Sequence, residues 1–331
     1  MGTLLDKPVI EKEGVEKGTA NNLTFGVASM QGWRVDMEDS HYYNGTLGDE
    51  VPGVSIFAVF DGHGGQFAAK YAAEHIERIL KEQEKYKEYV TSKDPVVLGD
   101  ALKACFIEID VQMLKTPTMS EKKDRSGCTA VCVCTTPTHI ICSNAGDSRS
   151  CYLKAGIPID LSFDHKPYNP AESARIENAG GYVSMKRVDG DLAVSRALGD
   201  FQYKDRPDLP AEQQKVTGDP EIIIKERSPT EDEFILIACD GIWDVCSNQE
   251  ACDLMSDILK EGETDPALMS EEMLDLCLEK GSRDNMTCGV VLFSAAKMGG
   301  EGGGVAVRRA KREEEAKAQA METEGEEVGT D

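Results

Sequence analysis

Basic residues are scarce in this 331-residue chain: 36 Lys and Arg stand against 60 Asp and Glu, a net charge of −24. A protein that grips nucleic acid non-specifically needs a basic face, so that class is excluded. Apolar runs are short as well. None approaches the length that spans a bilayer, and no apolar signal core opens the chain. The 11 cysteines include no CxxC pair, and Cys132, Cys134, Cys142 and Cys239 lie inside apolar stretches. They read as reduced, buried small hydrophobes, not as a disulfide frame or a zinc site. The five histidines (His41, His63, His75, His139 and His165) are too scattered to supply one. No GxxxxGK[ST] loop and no base-stacking aromatic platform point to a nucleotide. The expectation is a protein of a reducing compartment, cytoplasmic with nuclear or membrane-associated pools left open.

What is present is an ordinary globular composition, 40% apolar and 29% charged. The length allows one large domain or two small ones. Residues 1–21 are polar and read as a flexible lead, 22–296 as the catalytic body, and 297–331 as a flexible acidic tail rich in Gly and Glu. Residues 298–331 carry five basic and nine acidic side chains, a net −4, so about −20 belongs to the body. Like charges at that density must be solvated, protonated or bound to cations.

Apolar spacing predicts helices over 66–81, 97–114, 170–179, 248–260 and 269–280. Strands are expected over 129–134, 140–144, 149–153, 221–225, 233–239 and 287–293. Pro137-Thr138 and Gly146-Asp147 are links so short that each is expected to join antiparallel neighbours. Hairpins interleaved with long helical blocks indicate antiparallel sheets covered by helices rather than a doubly wound parallel sheet.

Four aspartates stand at strand ends or in tight turns beside them: Asp61 after IFAVF, Asp147 in NAGDSR, Asp240 after FILIAC and Asp284 in SRDNMT. One such Asp is ordinarily a turn former or a cap. Several together lose hydration and repel, and a shared cation would offset both. Oxygen-only ligands at short reach suit Mg²⁺ or Mn²⁺. In Asp61-Gly62-His63-Gly64-Gly65 the glycines let the backbone approach a ligand, so that Gly62 can offer its carbonyl oxygen. His63 is then a candidate proton donor. Arg34, among Asp36, Glu38 and Asp39, has the planar fork that a phosphate monoester needs, although a surface salt-bridge ladder would look the same.

These residues fall within seven ordered stretches: GWRVDMEDSH (32–41), FAVFDGHGG (57–65), SGCTA (126–130), NAGDSR (144–149), LAVSRALGD (192–200), ACDGIWD (238–244) and SRDNMT (282–287). Together they resemble the motifs of the PPM, or type 2C, metal-dependent protein serine/threonine phosphatases over about residues 22 to 295. The resemblance implies an α+β fold, a four-layer α-β-β-α sandwich of two antiparallel sheets flanked by helices, with the metal site at one end. It implies two Mg²⁺ or Mn²⁺ ions, with Asp61 bridging them and Gly62 ligating one. Asp240 and Asp284 would hold the second ion, and Glu38 and Asp39 would act mainly through water. Hydrolysis of phosphoserine or phosphothreonine would proceed by attack of a bridging hydroxide. Arg34 would bind the substrate phosphate and His63 would protonate the leaving oxygen. Asp147 and Asp244, with Asp240, match a weaker third-metal site, with Thr129 and Arg187 at positions near it, and Asn285 would support Asp284. Residues 166–220 correspond to the family's variable flap. The opening MGTLLDKP also resembles that of the animal alpha and beta type 2C enzymes. This makes Gly2 a candidate for myristoylation, and with it membrane association, although Asp6 stands where the common pattern wants Ser or Thr. The expected partners are phosphorylated proteins and no nucleic acid, and the expected state is monomeric. A non-catalytic phosphoprotein binder and a hydrolase of nucleotides or small phosphate esters stay open as alternatives.

Overall fold

Runs of β-branched and aromatic residues bounded by glycine and polar turns build most of the strands. The computed structural model describes residues 4–300 and 302–327. Eleven of its strands form two sheets: β1 (Leu4–Ala20), β2 (Leu23–Arg34), β3 (Ser40–Asn44), β4 (Ser55–Phe60), β5 (Ala130–Thr135), β6 (His139–Ala145), β7 (Arg149–Lys154), β8 (Ile157–Asp160), β9 (Glu221–Glu226), β10 (Asp232–Ala238) and β11 (Met286–Leu292). The first sheet has the order β1-β2-β11-β10-β7-β8 and the second the order β9-β6-β5-β4-β3. Every pairing within these two sheets is antiparallel. The helices used below are α1 (Phe67–Glu82), α2 (Glu84–Ser92), α3 (Pro95–Leu114), α4 (Pro170–Asn178), α5 (Asp240–Trp243), α6 (Asn248–Lys260), α7 (Pro266–Glu279) and α8 (Gly304–Glu327).

Three apolar layers hold these elements together. Phe25, Val27, Phe57, Val59, Val131, Ile235 and Val291 meet between the sheets. Ile76, Leu80, Leu102 and Phe106, from α1 and α3, cover the second sheet. Met255, Ile258, Met273 and Leu274, from α6 and α7, cover the first. Each fully buried side chain of this size is worth roughly 1.5–3 kcal/mol. The architecture is therefore the expected one, two antiparallel sheets face to face with helices on each outer side.

Three expectations need correction. Gly146-Asp147 does not join neighbours in one sheet: β6 belongs to the second sheet and β7 to the first. Short links also turn corners between stacked sheets, which lie only about 10 Å apart. The lead is not loose from Leu4 onward, because β1 is an edge strand paired along β2 through several register shifts. It lacks an apolar face, so periodicity could not reveal it. Ladder hydrogen bonds hold it, along with ion pairs from Lys12 to Asp275 (2.5 Å) and from Lys17 to Asp265. Within the tail, Gly304–Glu327 is helical, with Val305 buried against α6 and α7. Arg308 pairs with Glu261, and Arg312 forks onto the fully buried Glu272. Complementary charge on distant helices, which no local pattern shows, anchors this segment.

Candidate metal and phosphate site

Antiparallel pairing brings the ends of β2, β4, β6 and β10 and the beginnings of β5, β7 and β11 to one end of the sandwich. The chemistry collects there. A cavity of about 280 Å³ is lined by Arg34, Glu38, Asp61, Gly62, His63, Thr129, Asp147, Arg187, Asp240, Asp284 and Asn285, together with Leu192, Ala193 and Val194 of the flap. Asp39 is buried and outside this lining, with a carboxylate oxygen within 4.8 Å of one of Asp61. Asp244 is exposed on its rim beside Arg34 and Asp284. Gly2 lies outside the described residues. The flap has its own small core of Ile176, Val188, Val194, Ala197, Tyr203 and Val216, which lets it present Arg187 to the cavity as a unit.

Backbone approach explains the glycines. A Cβ on Gly62 would come within 2.2 Å of the Glu38 carbonyl oxygen, and one on Gly241 within 2.1 Å of that of Asn285. Asn285 ties the acidic turn in place: its Oδ1 accepts from Glu38 N at 3.0 Å, and its Nδ2 donates to the carbonyls of Gln31 and Asp36, both at 2.9 Å. Glu38 Oε1 in turn accepts from Gly65 N at 2.6 Å. Thr129 N donates to the Asp61 carbonyl at 2.9 Å, so Thr129 positions the residue and leaves its carboxylate free.

The electrostatics are those of a site made for cations. Loss of hydration and the neighbouring carboxylates of Asp240, Asp39, Asp147 and Asp284 push the Asp61 carboxyl well above its ordinary range. Asp240 is driven the same way by lost hydration, Asp147 and Asp284. Burial raises Asp39 to about 6 against the help of Thr287, whose hydroxyl donates to Asp39 Oδ2 at 2.7 Å. The Cys239 thiol leans toward Asp39, yet Asp39 Oδ1 is buried with no hydrogen-bond partner among the described residues. Such an orphaned acceptor is costly unless a ligand takes it. Ligand atoms of Asp39, Asp61 and Cys239 lie within 4.8 Å of one another. Burial holds that thiol well above its normal pKa, which leaves the two carboxylates as the fitting donors. Hard oxygen donors with an unfilled acceptor suit a divalent cation of the Mg²⁺ or Mn²⁺ kind.

Arg34 donates to Asp284 Oδ2 at 2.5 Å with part of its fork. His63 Nε2 lies 2.6 Å from Asp200 Oδ2. Burial alone would depress the His63 pKa, but the charge and hydrogen bond of Asp200 outweigh it and raise it. Asp200 is the partner of His63 that the motif reading passed over, although it ends LAVSRALGD. A Cβ on Gly127 would strike Asp200 Oδ2 at 2.2 Å and His63 Nε2 at 2.7 Å, so the glycine of SGCTA keeps room for this pair. Asp200→Asn is expected to lower kcat by about 10²-fold with little change in KM and to shift the pH profile of turnover. An unchanged profile would show that the pair is only structural.

An acid-lined cavity with an arginine at Asp284 and a histidine oriented by Asp200, at the end of an α-β-β-α sandwich, has the make-up of a phosphatase-type site. The protein phosphatase 2C family pattern matches residues 23–286, and the chain belongs to that family. It is 44% identical over 299 residues to human protein phosphatase 1A, covering 89% of this chain and 77% of that one. It is 42% identical over 308 residues to protein phosphatase ppm-1.A of Caenorhabditis elegans, again over 89% of this chain but only 64% of the nematode protein. Among solved structures, a phosphatase from Toxoplasma gondii superposes with a TM-score of 0.73 at 25% identity, covering 86% of this chain and 96% of that one.

Proposed function

We propose that this chain is an active protein serine/threonine phosphatase that works with two Mg²⁺ or Mn²⁺ ions. The observation that carries the reading is the gathering of Asp61, Asp240, Asp284 and Glu38 around one cavity with Arg34 and His63. Asp61, Gly62, Glu38, Asp39, Asp240 and Asp284 would hold the pair of cations, and Asp147 with Asp240 and Asp244 a weaker third. When bound, the cations supply an activated water as nucleophile and neutralise phosphoryl charge. The protein's own groups do the rest. Arg34 binds the substrate phosphate from the rim, and Arg187 on the flap approaches from the other side. The His63 imidazolium donates through Nε2 to Asp200, which leaves Nδ1 to protonate the departing serine or threonine oxygen. No Phe, Tyr or Trp side chain lines the cavity among the described residues, so no broad platform is offered to a nucleotide base. We read the protein as acting alone, as a monomer, on phosphorylated proteins. Phosphate release from a phosphothreonine peptide is expected with Mg²⁺ or Mn²⁺ and not in EDTA, and to exceed release from nucleotides. Release in EDTA would overturn the reading. Silence under every metal condition, from a folded sample, would favour a phosphoprotein-binding role.

A further inference from the structure

We propose that Lys166 is a resident counter-ion of Asp147 and competes with a divalent cation for that carboxylate. Lys166 would thereby set how weakly the third position binds metal. The inference rests on the metal-dependent reading above. Asp147 is only 3% exposed and sits in the three-residue crossing between the two sheets. Lys166 Nζ donates to its Oδ2 and forms an ion pair with it. The position of Lys166 is prepared by its neighbour. His165 N donates to the Gly146 carbonyl at 2.9 Å, and Gly146 N donates back to His165 Nδ1 at 3.3 Å. The residue before Lys166 is thus bonded in both directions to the residue before Asp147. The ammonium is delivered to the carboxylate by this clasp rather than by a free surface chain.

The contrast with the rest of the site matters. Among the described residues, Asp61, Asp240, Asp244 and Glu38 have no basic side chain within ion-pair distance, whereas Asp147 does. The charge of Lys166 also bears on Asp240 and Asp244. A cation entering among these three carboxylates must therefore displace or face a positive charge, a penalty that Asp61 does not share.

The test is calorimetric titration of the full chain with Mn²⁺ and with Mg²⁺, comparing the natural protein with Lys166→Met and Lys166→Arg. Lys166→Met keeps much of the stem and drops the charge. Its weak site is expected to tighten by about tenfold or more, with the tight sites, which share Asp240 but not Asp147, changing much less. Lys166→Arg, which keeps the charge, is expected to bind as the natural protein does. A thermal melt in EDTA establishes that each variant is folded, and Lys166→Gln replaces Lys166→Met if the latter is not. Equal or weaker binding at the weak site in the charge-free variant overturns the role of Lys166, as does the absence of any weak site in all proteins. Loss of the tight sites from the natural protein would instead bring down the metal-dependent reading itself.

Discussion

Asp61→Asn is expected to abolish phosphate release while making the metal-free protein more stable. Activity should fall by at least about a thousandfold, roughly 4 kcal/mol of barrier. Asp61 follows directly on β4, whose residues are all buried, and projects into the cavity where four other carboxylates raise its pKa. Without a cation that crowding is repulsive, so its charge works against the fold. Asparagine keeps the shape and removes the charge, which relieves the repulsion and at the same time forfeits a carboxylate proposed to hold both cations. Melting in EDTA should therefore rise, while the gain in stability on adding Mn²⁺ should shrink. A structural residue behaves otherwise, losing stability and activity in parallel. If Asp61→Asn melted lower in EDTA yet kept most of its turnover, the central place given to Asp61 would be wrong.

Much of this site was legible because several of the proposed ligands are announced locally. Asp61 and Asp240 follow apolar runs, and Gly62 and Gly241 stand where a Cβ would strike backbone. The apolar run ending in Asp, and the Gly after it, are features of a few consecutive residues that a linear reading finds; which backbone each glycine meets, Glu38 for Gly62 and Asn285 for Gly241, is set only by the fold. Asp200 was not legible, since its relation to His63 exists only once β4 and the flap are folded against each other, 137 residues apart. Lys166 is similar: nothing in DHKPYN marks an ammonium destined for Asp147. The elements show the same division. Helices α1 and α6 have one-sided apolar faces that periodicity detects, whereas α3 and α7 are apolar over much of their circumference and are legible as long apolar stretches. Strand β1 has mostly exposed side chains, and its attachment comes from backbone ladders and from two lysines facing α7. The crossing at 146–148 failed for a different reason: link length limits how far the chain travels, not which sheet it enters. It is that crossing, rather than a hairpin, that sets Asp147 beside Asp240.

Removal of metal should reverse the pH dependence of stability across the range where the carboxylates titrate. In ordinary proteins paired carboxylates have depressed pKa values and stabilise the fold above them. Glu172 is such a group: burial would raise its pKa, but Arg196 and Arg175 overrule it and hold it at about 2. The cavity acids are opposite in sign. Asp39, Asp61 and Asp240 keep protons that the unfolded chain has already released. The folded state then binds more protons than the unfolded state, and stability falls as pH rises. For Asp39 the loss begins near the ordinary value of 3.8 and is complete above about 6, and it is worth roughly 3 kcal/mol. Asp61 and Asp240 carry the decline to higher pH. A bound cation inverts this, because it takes the deprotonated carboxylates and gains as they ionise. Melting followed from about pH 5 to about pH 7.5 should thus slope downward in EDTA and flatten or climb with Mn²⁺. Asp39→Asn, which has no proton to release, should lose part of the downward slope. A metal-free melting temperature that rose over this interval would mean that the cavity acids are solvated or paired in solution. The case for a cation site built from repelling carboxylates would then fail.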